Sequence, residues 1–416
     1  MKVHDLIAVA TRSGFYRDDQ AAIGEGAARD GFLYAGVPRT AGFTSIREPG
    51  TAVSIMLVLD DGRIALGDCA EVQYAGVGGR GAVMTSPSVL SELESTLRPR
   101  LVGADVSEFR AIAESVDAME LSIPLRYGIS QALLDATAQV QRRTMAEVIR
   151  DEYDTGVEIG PVPLYAQSGD ERYAHVDKMI MKRVDVLPHG LINAVDDKLG
   201  RDGGLLLDYV GWVAERIGKL GEAAYRPVIH VDVYGTLGMI FDGDLDRVTT
   251  YLGRLKERAG LFALRVEHPV NAGSREGQIA AGTRLRRLLR ERGIEVEIVA
   301  DEWCNTLDDI RAFVAAGAAD MIQVKTPDLG GVGNTAEALL LARRGGVGAF
   351  CGGTCNETDV SARVSVHIAM ACGADQVLAK PGMGVDEGLM IVGNEMDRVA
   401  ALMTAGDCHA SAAGPR

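Results

Sequence analysis

Eight short apolar runs, each followed by a helix-length segment, fill the chain from Pro163 onward. They are Leu164 to Gln167, Val184 to Pro188, Pro227 to Asp232, Phe262 to Glu267, Val296 to Asp301, Met321 to Lys325, Val347 to Cys351 and Gln376 to Ala379. Strands separated from one another by helices pair in parallel. Eight such units over about 250 residues close into a (β/α)8 barrel rather than an open sheet. The rhythm changes after Gly156, so we expect two domains: residues 1–160 as an N-terminal α+β domain and residues 161–416 as the barrel, an α/β architecture overall.

Three successive runs end in a carboxylate: Asp232, Glu267 and Asp301, 35 and 34 residues apart. The carboxyl ends of barrel strands are where a barrel gathers its chemistry. A single Asp at a strand end is most often a helix cap or a loop residue. Three in succession point to one shared site of hard oxygen ligands for a divalent cation, Mg²⁺ by preference. The next run ends in Lys325, which the ring order aims at the same mouth. A dication nearby disfavours the charged form of that amine, as a base near neutral pH requires. Lys380, after the last run, competes for the role. It ranks second because Pro381-Gly-Met-Gly384 reads as a turn and it lies farther round the ring from the carboxylates.

His189 closes the second run and would face Lys325 across the mouth. Gln167 ends the first run, and Gln323 precedes Lys325 by two, sharing its face on a strand of period two. Both amides suit carboxylate oxygens. Thr354, with the Thr354 and Cys355 amides in the glycine turn Cys351-Gly-Gly-Thr-Cys355, is a further carboxylate-holding candidate.

The N-terminal part begins with no signal-like or membrane-spanning stretch, since Met1 to Ala10 is too soon interrupted. Thr51 to Leu59 alternates and runs through Asp60-Asp-Gly-Arg63 into Ile64 to Gly67, a β-hairpin pattern. Helices follow: one capped by Ser86 before Pro87, one over Val106 to Met119 and one over Ser130 to Tyr153. Gly76-Val-Gly-Gly-Arg-Gly81 has the letters of a dinucleotide fingerprint, but the next helix waits until Pro87 and no βαβ unit surrounds it. We read it as a mobile loop over the barrel mouth. The end, Gly406 to Arg416, reads as a frayed tail.

A net charge of −15 argues against a nucleic-acid or anionic-membrane partner, and the chain is expected in the cytoplasm. Six cysteines without paired spacings exclude a structural zinc site and imply reduced thiols. Cys351 and Cys355 then have packing or backbone roles rather than a redox one.

Longer strings narrow the chemistry. Leu164-Tyr-Ala-Gln-Ser168, Asp185-Val-Leu-Pro-His189, His230-Val-Asp-Val-Tyr-Gly235, Ala300-Asp-Glu-Trp-Cys-Asn305, Gln323-Val-Lys-Thr-Pro-Asp-Leu-Gly-Gly331, Cys351-Gly-Gly-Thr-Cys-Asn-Glu-Thr358 and Ala379-Lys-Pro-Gly-Met-Gly-Val-Asp-Glu387 resemble methylaspartate ammonia-lyases of the enolase superfamily. The resemblance implies an enolase-like barrel with an N-terminal capping domain. It implies reversible elimination of ammonia from L-threo-3-methylaspartate to give mesaconate, as in glutamate breakdown. Mg²⁺, an assisting monovalent cation such as K⁺, and a homodimer are implied with it. By the same resemblance Asp232, Glu267 and Asp301 are metal ligands, Lys325 is the base and His189 stands on the opposite face of the substrate. Gln167, Gln323, Thr354 and Cys355 are its carboxylate contacts. His268 departs from the pattern, which has glycine after the glutamate. Dehydratases and cycloisomerases of the superfamily share the three carboxylates but not the glutamine and Gly-Thr-Cys strings.

Overall fold

The computed structural model describes residues 1–73, 80 and 83–412, with side chains to residue 405. Among these residues the first element is a strand that the sequence reading did not anticipate: Val3–Asp18, 16 residues long. It pairs antiparallel with Arg47–Leu59, which pairs with Ile64–Cys69 through the expected hairpin. Gly62 turns that hairpin at φ +85°, a left-handed conformation that glycine adopts at little cost. One face of this three-stranded sheet is covered by the helix Ile123–Gln141. Twelve of its nineteen residues are buried, because it lies between the sheet and the barrel rather than at a surface. The approach is close: a Cβ on Gly67 would stand 2.1 Å from the Gly128 carbonyl, so neither backbone tolerates a side chain there.

Three helix expectations need correction. Thr85, not Ser86, caps the helix Ser86–Glu92, its side chain accepting from the Ser88 amide. The helix expected over Val106 to Met119 is shorter, Phe109–Asp117, because Val106 is engaged by the Met1 carbonyl. The helix expected over Ser130 to Tyr153 is two helices, Ile123–Gln141 and Met145–Glu152. Arg142 turns left-handed between them, and Thr144 and Glu147 form a capping box that starts the second. At the other end, helix Asp386–Ala412 continues through the region expected to fray, while residues 413–416 lie outside the described residues. Most of Gly76 to Gly81 also lies outside them, and only Arg80 of that segment is described.

All eight barrel strands form where the apolar runs stand: Leu164–Tyr165, Val186–His189, Val228–Asp232, Leu264–Glu267, Glu297–Ala300, Met321–Val324, Gly348–Cys351 and Val377–Leu378. They pair in parallel in chain order, and the eighth pairs with the first, closing the ring. Tyr165, Val186, Val299, Met321, Phe350 and Leu378 fill its interior, so the barrel is a packed core with its chemistry confined to one end. Among the described residues, no helix is long and apolar enough to cross a membrane.

Candidate functional site

Strand register brings the three carboxylates together. Asp232 pairs directly with Glu267 across the third and fourth strands, and Val299 on the fifth strand pairs with Glu267, leaving Asp301 just beyond it. Asp232, Glu267 and Asp301 each offer an oxygen within 4.8 Å of the others, and all three are buried. Burial first, and then the neighbouring carboxylates, push Asp232 and Glu267 far above the ordinary carboxylate range. Three such groups can be ionised together only against concentrated positive charge. Lys325 supplies one unit: its Nζ stands 2.6 Å from Asp301 Oδ1 and 3.6 Å from Glu302 Oε1. Three carboxylates against one ammonium leave two negative charges over. A cluster of hard oxygens with that excess fits a divalent cation such as Mg²⁺.

The lysine is charged in this arrangement. Burial disfavours its charge, but contact with Asp301 and Glu302 outweighs burial and holds it protonated, above the ordinary lysine range. The neutral amine expected from the sequence is that of a site with a dication nearby, which disfavours the charged form. The rival, Lys380, is fully buried, with its Nζ 2.8 Å from Glu357 Oε2, 2.9 Å from Thr326 Oγ1 and 2.7 Å from the Gly352 carbonyl. Those partners saturate its three donors and turn it away from the mouth.

A small cavity of about 50 Å³ opens at the carboxyl ends of the strands, lined by Gln167, His189, Asp232, Asp301, Gln323, Lys325, Thr354 and Cys355. Eight of the nine residues singled out from sequence therefore share one wall, and the ninth, Glu267, is joined to it through Asp232 and Asp301. His189 takes a left-handed backbone (φ +65°) at its strand end, with Nε2 3.5 Å from Asp232 Oδ2. Burial first, and then the charge of Lys325, push its pKa down to about 3, so the ring is neutral. Nδ1 accepts from the Leu191 amide, which leaves the proton on Nε2, facing the cavity side. Gln167 donates to the Gly382 carbonyl at 3.3 Å, and Gln323 donates to Glu267. The Thr354 amide is already taken by Glu357 Oε2 at 3.0 Å, so that amide does not face a ligand as expected. Its Oγ1 accepts from the Gln73 amide.

Sequence reasoning missed the residues supplied from outside the strand ends. Gln73, just after the N-terminal sheet, lines the cavity and accepts from the Cys355 thiol at 3.3 Å. Arg80 reaches the same mouth and binds Asp328 (Nε to Oδ2, 2.8 Å) and Glu302. Burial opposes the ionisation of Glu302, but Arg80 and Lys325 hold its pKa down to about 2. Tyr165 lines the cavity floor, fully buried, and its hydroxyl has no hydrogen-bond partner. Beside Glu267, His268 is buried in a left-handed backbone (φ +47°), and neither ring nitrogen has a hydrogen-bond partner. The glycine expected there would adopt that backbone freely. The remaining cysteines follow expectation: Cys69, Cys304, Cys351, Cys355 and Cys372 are free and buried.

Comparison with known proteins places this geometry in context. Residues 1–154 match the family described as methylaspartate ammonia-lyase N-terminus, and residues 156–405 match methylaspartate ammonia-lyase C-terminus. Methylaspartate ammonia-lyase 2 of Carboxydothermus hydrogenoformans is 52% identical over 409 residues, spanning 97% of this chain and 99% of the relative. The crystal structure of β-methylaspartase from Clostridium tetanomorphum, an Mg complex, superposes with a TM-score of 0.92 at 51% identity, covering 97% of this chain and all of that one. The Citrobacter amalonaticus methylaspartate ammonia lyase structure, which contains (2S,3S)-3-methylaspartic acid, gives 0.95 at 47% identity over 97% of this chain and all of that one.

Proposed function

Because the chain belongs to the methylaspartate ammonia-lyase family, we propose that the cavity at its barrel mouth eliminates ammonia reversibly from L-threo-3-methylaspartate to give mesaconate, with Lys325 as the base. The observation that carries this reading is the buried trio Asp232, Glu267 and Asp301 with Lys325 in contact on the next strand. Identity of about half over nearly the whole chain favours it over a dehydratase or cycloisomerase on the same fold.

A proton beside a carboxylate is a poor acid, because its removal adds charge to a group already anionic. Mg²⁺ held by Asp232, Glu267 and Asp301 supplies the positive charge that the site needs at that carboxylate. Lys325, charged in its contact with Asp301 and Glu302, must first give up a proton to solvent, which a cation drawing on the same carboxylates would favour. As the neutral amine its Nζ takes the proton from the methyl-bearing carbon, and the electron pair left behind forms the carbon–carbon double bond as the carbon–nitrogen bond breaks. The leaving group departs as ammonia. An amine of pKa about 8 already carries its protons near neutrality, so no separate acid is required. Lys325 afterwards returns its proton to ammonia or solvent.

His189, neutral with its proton on Nε2, donates to the substrate from the opposite face and orients it. Service as a base toward the other stereoisomer requires the Leu191 bond to be released so that the proton can change nitrogen. Gln167, Gln323, the Thr354 hydroxyl and Cys355 contact the substrate carboxylates, and Gln323 also steadies Glu267. The family relationship further supports a cytoplasmic homodimer, assistance by a monovalent cation such as K⁺, and a place in amino-acid breakdown such as that of glutamate.

The test is direct. Purified protein incubated with L-threo-3-methylaspartate and Mg²⁺ should release ammonia and a conjugated product with ultraviolet absorbance, and a chelator should abolish both until Mg²⁺ is restored. Turnover that persists after exhaustive chelation would remove the metal from the account.

A further inference from the structure

Beneath the carboxylate cluster, a line of polar side chains crosses the barrel interior where apolar packing is the norm. Arg265 and His230 are register partners on the fourth and third strands, each two residues before a carboxylate of the cluster and therefore on the same inward face. His230 Nε2 lies 2.9 Å from Glu267 Oε2, and His230 Nδ1 lies 3.2 Å from Gln376 Nε2. Gln376 Oε1 accepts from Arg265 Nη1 at 2.6 Å, and Arg265 Nε donates to Glu297 Oε2 at 2.6 Å, at the far rim of the barrel. His230, Glu267 and Gln376 are wholly buried. The imidazole stacks on Tyr165 at 4.4 Å, with Phe350 edge-on at 5.7 Å.

The Arg265 end of this line fixes its direction. A guanidinium has only donors, so the amide of Gln376 must turn its oxygen to Arg265 and its NH₂ to His230. Nδ1 of His230 must then accept. A neutral imidazole carries one proton, so Nε2 holds it and presents the N–H to Glu267. The direction set at Gln376 thus selects one tautomer, with the proton on Nε2. Burying so many polar groups is tolerable only because each is paired, and a reversal anywhere would leave like poles facing.

We propose that Arg265, Gln376 and His230 are positioning residues for the cation site: they lock His230 as a donor to Glu267 and so hold that carboxylate in the orientation that lets it ligate with Asp232 and Asp301. The inference rests on reading that trio as the metal site. Second-layer partners of this kind change metal affinity by about tenfold to a hundredfold when removed.

The experiment titrates metal-free, full-length protein with Mn²⁺ by electron paramagnetic resonance, and records imidazole ¹⁵N spectra of histidine-labelled protein, with His230 assigned from the signals lost in His230→Gln. The parent should bind Mn²⁺ at one site and show Nδ1 of His230 unprotonated. His230→Phe, which keeps the ring stack but has no N–H, should weaken Mn²⁺ binding about tenfold or more. His230→Gln, whose amide can still donate to Glu267 and accept from Gln376, should bind closer to the parent. Gln376→Glu, which can only accept at Nδ1, should place a proton there and weaken Mn²⁺ binding as well. A parent with Nδ1 protonated, or folded His230→Phe and Gln376→Glu proteins that bind Mn²⁺ like the parent, would overturn the inference while leaving the metal site standing. A parent that binds no Mn²⁺ would instead overturn the metal reading, and this inference with it.

Discussion

Lys325 Nζ stands 2.6 Å from Oδ1 of Asp301, so the amine assigned as base and a carboxylate assigned as metal ligand are in direct contact. The two roles compete for the same charge. Replacing Lys325 by Met removes a cation from the immediate surroundings of the trio. We predict that Mg²⁺ binds the variant at least as tightly as the parent, by about 1 kcal/mol in its favour, measured by calorimetry at low salt. Weaker binding would mean that the lysine helps to assemble the site rather than competing for it.

Tyr165, whose ring stacks on His230, carries a buried hydroxyl without a partner. An unpaired buried hydroxyl is a cost, so Tyr165→Phe should raise stability toward denaturant by about 1 kcal/mol in the absence of substrate. Destabilisation of similar size would reveal a hydrogen bond that the structure does not contain.

Lys380 and Glu357 form a wholly buried ion pair that also ties Thr326, Tyr127 and the Thr354 turn together. Lys380→Met leaves the carboxylate buried without its counter-charge and should cost about 3–5 kcal/mol in equilibrium unfolding. A loss below about 1 kcal/mol would contradict the pairing.

Glu71 gives a pH dependence with a definite sign. Burial raises its pKa from 4.5 to about 7, against the opposing pull of the Met84 amide and Arg17. The folded protein therefore holds this proton more tightly than the unfolded chain does. Stability falls as pH rises from about 4.5 through about 7, and above that range the folded state carries a penalty of about 3 kcal/mol. Glu71→Gln should accordingly gain in melting temperature over the parent when both are moved from about pH 5.5 to pH 8.5. An unchanged difference between the two proteins across that interval would show that the side chain ionises normally.

The barrel and the heart of the site were legible because both follow from periodicity. Strands of one ring alternate with helices, and a carboxylate at the end of each of three successive strands lands on one rim whatever the loops do. Asp232, Glu267, Asp301 and Lys325 needed no long-range information. The residues that were missed come from outside that rhythm. Gln73 and Arg80 arrive from the N-terminal segment; a loop over the barrel mouth was expected at Gly76 to Gly81, but which side chains reach the site, and which groups they meet, is a tertiary relation that no local spacing encodes. His230 and Gln376 carried no assignment of their own, because their importance lies in the direction of hydrogen bonds across the barrel. The split of the Ser130 to Tyr153 segment depended on a left-handed arginine and a capping box within an otherwise continuous helical pattern. The charge on Lys325 was not readable either, because it depends on how close Asp301 and Glu302 come.

The central claim is that Lys325 takes the proton from the methyl-bearing carbon of the threo substrate. Its most direct test is the rate of mesaconate and ammonia formation by Lys325→Ala with Mg²⁺, beside a circular-dichroism melt and an Mn²⁺ titration of the same preparation. A folded, metal-binding variant whose turnover falls by about a thousandfold is the predicted result. The same folded variant turning over L-threo-3-methylaspartate at the parental rate would contradict the account.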